Sequence, residues 1–275
     1  MKYHIEDNTI IVDNSKDFDI KDILECGQVF RFKKTHFGYV VYSLCHKAEI
    51  HVQEVYTKIV CDDAKYFEKY FDFCTDYAKI KSALSVYPIL NNAIKSGEGI
   101  RILRQDPLEM IISFIISANN NIPRIKAIIE QICTSYGKNM GDYYAFPTLD
   151  EMKNIPLEFF RNIKCGYRDK YLYSTIQAIA NGFDIDKIYS MSTNDARKYL
   201  STLMGVGPKV ADCILLFGYH KTDVFPTDTW IKKVYWEDFG GSEKNPASIT
   251  KYFLNLFGDN AGYAQQYLFY SKREG

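Results

Sequence analysis

Paired cysteines are missing from this sequence. Its seven cysteines are an odd, scattered set, and no two of them stand in a Cys-x-x-Cys pair. That spacing argues against a disulfide framework, a structural zinc site and a cubane iron–sulfur cluster. We therefore expect reduced thiols, most of them buried as small apolar groups.

Membrane and secretion signals are missing too, and so is an excess of charge of one sign. No run of about eighteen apolar residues occurs and residues 1–6 lack a signal-peptide pattern, so we expect a cytoplasmic protein. The 34 basic and 34 acidic residues cancel, which is weak evidence against a nucleic-acid-binding protein. Any contact with a polyanion must come from local geometry and not from a bulk basic field.

Hydrophobic periodicity divides the 275 residues near residue 98. The first 61 residues alternate with the period of β-strands, for example over residues 29–32, 39–42, 50–53 and 59–61. Helical periods dominate from residue 106, over about 107–118, 123–136, 168–181, 208–217, 229–239, 246–257 and 260–271. The sequence therefore predicts an α+β protein. A twisted antiparallel β-sheet domain with flanking helices would span residues 1–98, and an all-helical domain residues 99–275.

The most informative segment is Leu-Met-Gly-Val-Gly-Pro-Lys at residues 203–209. Its two glycines allow a tight turn and a close approach of the backbone to another surface. Pro208 suits a first helical position, so a helix should begin there and end at Gly218. Free N–H groups at such a start bind a phosphate oxygen without a basic side chain. A phosphate-binding hairpin is predicted over about residues 196–217, at Gly205, Val206 and Gly207; a plain Gly-Pro turn is the alternative.

Lys209 and Asp228 are the candidate catalytic groups. The positive end of the helix dipole disfavours the Lys209 ammonium, and partial burial would lower its pKa further, leaving an amine that can attack carbon. Asp228 precedes a predicted helix as an N-cap, and its carboxylate should stay ionised. A negative charge beside an amine suits chemistry through an oxocarbenium ion, as in glycosidic cleavage. A solvated lysine and a plain N-cap are the alternatives.

Six separated segments resemble, in order, those of the helix–hairpin–helix DNA glycosylases with a Gly/Pro/Asp loop. Within that superfamily they are similar to the bifunctional 8-oxoguanine DNA glycosylase/AP lyases. The resemblance runs from about residue 24 to 271. The segments are Cys-Gly-Gln-Val-Phe-Arg at 26–31, Arg-Gln-Asp-Pro at 104–107, Asn-Asn-Asn-Ile-Pro-Arg at 119–124, Gly-Tyr-Arg at 166–168, Lys-Val-Ala-Asp-Cys at 209–213 and Ala-Gly-Tyr-Ala-Gln at 261–265.

The resemblance implies a reaction. The enzyme would excise 8-oxoguanine from duplex DNA, preferably opposite cytosine, through a Schiff base at Lys209, and then nick the strand by β-elimination. Asp228 would stabilise the charge on the sugar. The resemblance also implies a monomer that needs no cofactor and no catalytic metal, has no membrane partner, and is associated with the nucleoid if the source is prokaryotic.

The resemblance further assigns binding roles. The flipped base would lie between Cys213 and Phe269, its N7–H on the Gly27 carbonyl and its Watson–Crick edge on Gln265. Lys209 and Cys213, like Gln265 and Phe269, are four residues apart and so share a helix face. Taken singly, Cys213 and Phe269 are more often core residues, and an isolated Gly27 is usually a turn. The opposite-base and duplex contacts would be Asn119, Arg124, Tyr167 and Arg168.

The sequence departs from the family pattern at Trp230, where animal members have a histidine, and at Lys272, where that histidine's acidic partner would be. An indole N–H still donates to phosphate, so Trp230 stays among the predicted phosphate contacts. A cation held by the carbonyls of Ser201, Leu203 and Val206 would aid phosphate binding. Two alternatives remain: a monofunctional alkylated-base glycosylase of the same fold, and a non-catalytic helix–hairpin–helix DNA-binding protein.

Overall fold

The computed structural model describes residues 1–13 and 16–274. Its N-terminal part holds one six-stranded antiparallel sheet, in the order β1-β2-β6-β5-β4-β3. Side chains alternate across it: along β6, Thr57, Ile59 and Cys61 are buried and their neighbours are exposed. The strands are β1 Tyr3–Glu6, β2 Thr9–Asp13, β3 Phe32–Thr35, β4 Gly38–Ser43, β5 His46–Val52 and β6 Tyr56–Cys61.

Helices make up most of the rest of the described chain, which confirms the predicted α+β class. Four of the predicted helices, those over 107–118, 123–136, 168–181 and 246–257, begin and end within a residue of their expected bounds. The helices are α1 Ile20–Glu25, α2 Ala64–Tyr70, α3 Tyr77–Leu84, α4 Pro88–Ser96, α5 Pro107–Ser117, α6 Ile122–Tyr136, α7 Leu149–Met152, α8 Leu157–Asn162, α9 Arg168–Ala180, α10 Thr193–Leu200, α11 Pro208–Tyr219, α12 Thr229–Lys233, α13 Pro246–Phe257 and α14 Ala261–Glu274.

The strand prediction for residues 29–32 is wrong except for its last residue. Residues 26–31 form a loop, and β3 begins at Phe32. Val29, Phe30 and Arg31 are all buried, so burial does not alternate along this segment. Arg31 donates to the carbonyls of Leu44 at 3.2 Å and Tyr144 at 2.5 Å, which joins the loop to both parts of the molecule.

The end of α11 also differs from its prediction. The helix passes through Gly218 to Tyr219, and His220 closes it in the left-handed conformation, with φ 53°. A Cβ on Gly218 would lie 3.3 Å from Pro107 and from Met110, both on α5. Gly218 therefore permits close packing of α11 on α5 and does not end the helix.

The buried apolar residues form two clusters. One lies between the sheet and helices α1 and α2, and the other fills the helical part, together with Cys26 and Phe30. Phe73 belongs to the first cluster and Tyr77 to the second, so α3 and α4 pack with the helical part. A domain boundary near residue 98 stays a prediction. Over residues 1–13 and 16–274, no helix is both long enough and apolar enough to cross a membrane.

Candidate active site

The predicted hairpin lies between α10 and α11, and α11 begins at Pro208 with Gly207 as its N-cap. Gly205 has φ +88°, and a Cβ there would lie 2.6 Å from the Tyr171 ring, so the turn requires glycine. Val206 is buried, and its N–H donates to the Leu203 carbonyl at 3.1 Å. A Cβ on Gly207 would meet no atom within 4 Å. Gly207 is therefore the position of the hairpin that a phosphate could approach. The Val206 N–H already donates to the Leu203 carbonyl within the turn.

One cavity brings the predicted catalytic and base-binding residues together. They come from the loop after α1, from α11, from the start of α12 and from α14. Its volume of about 60 Å³ is small beside the roughly 300–1,000 Å³ of most ligand sites, so side chains must move to admit a base. The lining residues are Cys26, Gly27, Phe114, Lys209, Cys213, Phe217, Pro226, Asp228, Gln265, Gln266 and Phe269.

Lys209 lies in the first turn of α11, with Nζ 5.8 Å from the centre of the Phe114 ring. Burial lowers the pKa of its ammonium, but the Cys213 sulfur and the Asp228 carboxylate raise that pKa by more, and it lies above the ordinary value. This direction is opposite to the one predicted from the sequence, and the neutral amine stays a prediction. Burial raises the pKa of the Cys213 thiol to about 11.

Asp228 caps α12, as predicted, and accepts from the Ile231 N–H at 2.9 Å. Burial raises the pKa of its carboxyl group, although the Ile231 N–H and the Lys209 ammonium act in the opposite direction. The cap orients the carboxylate, because its position is set by the start of the helix. That Asp228 stays ionised remains a prediction.

The Gly27 loop is held by buried amide side chains. Gly27 has φ +86°, a conformation that favours glycine. On one side, Gln266 donates to the Cys26 carbonyl at 2.8 Å. On the other, Gln28 donates to the Arg101 carbonyl at 2.7 Å and accepts from the Leu103 N–H at 2.8 Å. Sequence reasoning missed Gln266, whose one signal is that it follows Gln265.

Gln265 and Phe269 lie one turn apart on α14, and both face the cavity. Gln265 is buried, and its Oε1 has no hydrogen-bond partner among residues 1–13 and 16–274. A buried amide oxygen without a partner is costly, and a ligand in the cavity would satisfy it.

The four predicted duplex contacts meet at a second place, where the α5–α6 turn faces the start of α9. The backbone of Asn119 has the left-handed conformation, with φ +50°. Arg168 is buried and donates to the carbonyls of Ala118 and Asn119, and its guanidinium lies 4.5 Å from the centre of the Tyr167 ring. Tyr167 is 52% exposed. Arg124 is exposed and donates to the Lys164 carbonyl at 2.7 Å.

Trp230 lies on α12 and does not line the small cavity. Lys233 Nζ is 4.8 Å from its ring, and Trp230 and Lys272 line a larger cavity of about 650 Å³ between α4, α12 and α14. Lys272 pairs with Glu237 at 2.9 Å and with Asp238 at 3.0 Å. Lys209 does not line this cavity of about 650 Å³.

Residues 104–107 join the two parts of the molecule. Arg104 contacts Asp72 at 2.6 Å, and Gln105 donates to the Gln28 carbonyl at 2.9 Å. Across the described chain, no group of three or more His, Cys, Asp and Glu side chains could hold a metal ion.

Comparisons with known proteins show the family. Residues 10–111 match the model of the 8-oxoguanine DNA glycosylase N-terminal domain, and residues 112–258 match that of the HhH-GPD superfamily of base excision DNA repair proteins. A probable N-glycosylase/DNA lyase from Methanothermobacter thermautotrophicus is 35% identical over 68% of this chain and 68% of its own. The N-glycosylase/DNA lyase OGG1 of Arabidopsis thaliana is also 35% identical, but over 62% of this chain and about half (51%) of its own.

Solved structures agree. The 8-oxoguanine glycosylase/lyase of Clostridium acetobutylicum, in complex with duplex DNA that has cytosine opposite 8-oxoguanine, is 39% identical with a TM-score of 0.94, over 100% of this chain and 98% of its own. A 3-methyladenine DNA glycosylase from Archaeoglobus fulgidus shares the fold alone, at 15% identity and a TM-score of 0.76, over 96% and 98% of the two chains. Since family models cover both parts of the molecule, this chain belongs to the HhH-GPD superfamily of base excision DNA repair enzymes and carries the N-terminal domain of the 8-oxoguanine DNA glycosylases.

Proposed function

We propose that this protein flips 8-oxoguanine out of duplex DNA, excises it through a Schiff base at Lys209, and nicks the abasic strand by β-elimination. The observation that carries the proposal is the small cavity. Residues predicted from segments far apart in the sequence line it together, and the proposal gives them the roles of nucleophile, charge stabiliser and base contacts. They are Gly27, Lys209, Cys213, Asp228, Gln265 and Phe269.

The chemistry uses groups that line the cavity. The Lys209 amine attacks C1′ as the C1′–N9 bond breaks, and the base leaves with the bonding electrons and takes up a proton. The amine nitrogen loses a proton and the sugar ring opens to an imine. Loss of a 2′ proton then expels the 3′ phosphate, and water hydrolyses the imine. The Asp228 carboxylate stabilises positive charge on the sugar.

Lys209 must lose a proton before it can attack, because an ammonium has no lone pair. Its pKa lies above the ordinary value in the protein without DNA. We therefore place the loss of the Lys209 proton, to water, at the stage when a flipped nucleotide fills the cavity. Asp228 remains the carboxylate that stabilises positive charge on the sugar.

The estranged base should be cytosine. Unpaired cytosine presents N3 and O2, both acceptors, and arginine carries donors alone. Arg124 and Arg168 lie at one place beside Asn119, which would fill the gap left by the flipped base, and Tyr167, which would wedge beside the partner. The Clostridium complex with cytosine opposite the lesion supports the same choice.

Phosphate contacts complete the proposed complex. The turn at Gly205, Val206 and Gly207 would bring the open start of α11 against the DNA backbone, and Trp230 would add an indole N–H from α12. The protein would act as a monomer in the cytoplasm, at the chromosomal DNA.

Two rival functions differ in what they require of Lys209. A monofunctional alkylated-base glycosylase uses water and needs no lysine at the hairpin exit. A non-catalytic DNA-binding protein needs neither Lys209 nor Asp228 in a cavity. The presence of both residues at one cavity favours the lyase.

The test is a strand-cleavage assay on a duplex with 8-oxoguanine opposite cytosine, with borohydride added to trap the imine. The wild-type protein should cleave and form a covalent adduct, and Lys209→Gln should bind the duplex but do neither. Lys153→Gln serves as the control, because Lys153 is a surface residue that contacts Asp150. An adduct with Lys209→Gln would show that another residue is the nucleophile.

A further inference from the structure

Arg273, near the C-terminal end of α14, extends the row of residues that faces the base cavity. Gln265, Phe269 and Arg273 are spaced four apart, so they share one face of the helix. Phe269 and Gln265 line the cavity, and Arg273 lies one turn beyond, beside Gly27. Its Nη1 is 3.3 Å from the point that a Cβ on Gly27 would occupy.

The Arg273 guanidinium is held at this place by several contacts. Nη2 donates to the carbonyl of Glu25, which ends α1 just before the Gly27 loop. The guanidinium carbon lies 5.3 Å from the centre of the Phe269 ring, and Nε donates to Glu274 at 3.0 Å. These contacts leave Nη1, which is buried and has no hydrogen-bond partner among the residues that the structure describes. A buried donor without a partner is unfavourable, and a ligand acceptor beside Gly27 would satisfy it.

The lesion offers such an acceptor. 8-Oxoguanine differs from guanine at two adjacent positions, a hydrogen on N7 and a carbonyl oxygen on C8. The family resemblance assigns the N7–H to the Gly27 carbonyl, which leaves the C8 oxygen without a partner. Arginine carries donors alone, and a charged donor forms a stronger hydrogen bond than a neutral one.

We propose that Arg273 is a second lesion-recognition residue, which donates from Nη1 to the C8 carbonyl oxygen of the flipped base. The inference rests on the proposed function. Gln265 would contact the Watson–Crick edge, Phe269 the face and Arg273 the imidazole edge, in the order in which they follow one another along α14. Arg273 and Gly27 would then form a donor–acceptor pair that matches the acceptor–donor pair of 8-oxoguanine.

The test compares excision of 8-oxoguanine with β-elimination at a preformed abasic site, both opposite cytosine and under single-turnover conditions. Arg273→Met keeps an aliphatic side chain over Phe269 but carries no donor. Its excision rate should fall about 10- to 100-fold, the effect of one hydrogen bond to a charged group. Cleavage at the abasic site should change by less than about twofold, because no base is present. Arg273→Lys should retain part of the excision rate, and Lys153→Gln, at a surface residue that does not line the cavity, should match the wild type.

A substrate change separates a direct contact from a positioning role. 8-Thioguanine keeps the N7–H and replaces the C8 oxygen with sulfur, a weaker acceptor. The change should slow the wild-type protein and have a much smaller effect on Arg273→Met, since that variant has no donor to lose. Equal sensitivity in both proteins would refute the contact.

The remaining outcomes are distinct. If Arg273→Met excises 8-oxoguanine as fast as the wild type, Arg273 does not take part in recognition. If it loses excision and abasic-site cleavage alike, Arg273 is a structural clamp between α14 and the Gly27 loop. A wild-type protein that cleaves the abasic site but leaves 8-oxoguanine in place would refute the proposed function, and this inference with it.

Discussion

Arg168 donates from Nη2 to the carbonyl of Asn119 at 2.7 Å. Its Nε donates to Ala118 and its Nη1 to Cys165, so in the protein without DNA its donors hold the left-handed turn at Asn119. Arg124, at the same place, is exposed. The two arginines are therefore not equivalent, although the sequence assigns them the same role.

The first prediction concerns the choice of partner base. Arg124→Ala should lower the ratio of the excision rate opposite cytosine to that opposite adenine about 10- to 100-fold. The reason is that each mismatched contact costs about 1–3 kcal/mol. Arg168→Ala should narrow it too, and should also slow excision opposite every base, because the Asn119 turn loses its support. Single-turnover rates opposite all four bases measure both effects. A wild-type protein with equal rates opposite all four would make both residues phosphate contacts, recognisable by a shallower salt dependence after mutation.

The second prediction separates the two hairpin glycines. Gly205→Ala should lower the free energy of unfolding by about 1–3 kcal/mol, because φ is +88° and the Cβ would meet Tyr171. Gly207→Ala should change that free energy by less than about 0.5 kcal/mol, since its φ of −80° suits alanine and the space is open. It should nevertheless weaken duplex binding about tenfold, because a methyl group keeps the phosphate away. Urea unfolding and fluorescence anisotropy give the two readouts, and full affinity in Gly207→Ala would move the phosphate site elsewhere.

The third prediction concerns Gly27→Ala. The new Cβ would lie 3.3 Å from Arg273 Nη1 and 3.4 Å from Phe269, at a φ of +86°. Excision of 8-oxoguanine should fall, because the carbonyl that faces N7–H is displaced, and stability should fall by about 1–3 kcal/mol. Binding to undamaged duplex should be retained, because the hairpin does not include Gly27. An equal loss of undamaged-duplex binding would identify Gly27 as a folding residue instead.

The fourth prediction concerns pH. Burial lowers the pKa of His220 to about 4, despite Asp72 at 3.5 Å, with Arg104 acting in the same direction as burial. The unfolded chain takes up a proton near pH 6.5 and the folded protein near pH 4, so stability is lost as pH falls through that window. The loss approaches about 3 kcal/mol.

His220→Asn should remove this dependence, since asparagine tolerates the left-handed φ and does not titrate. The free energy of unfolding, measured between pH 7 and pH 4.5, should fall more steeply for the wild type than for the variant. Parallel curves would show that His220 is protonated in the folded protein.

Much of the fold follows from local signals. The period of the apolar residues predicts β6 and α13, and Pro208 and Asp228 mark the starts of α11 and α12 because their effects reach no further than one helical turn. The errors have a different origin. The local sequence predicts a helix end at Gly218, but the glycine is there because α5 packs against it. It also predicts a strand over residues 29–31, but all three of these residues are buried in a loop.

The sequence by itself determined the secondary-structure class and the helix caps, because each depends on neighbours within a few positions. Its resemblance to a known family supplied most of the candidate site residues. The tertiary structure alone decided how those residues meet. It brought the Cys213 sulfur and the Asp228 carboxylate to the cavity that Lys209 lines, where they oppose the effect of burial on the pKa of Lys209. It placed Gln266 on Cys26, 240 residues away, and Arg273 beside Gly27. Burial and charge depend on distance through space, and no local pattern encodes that distance.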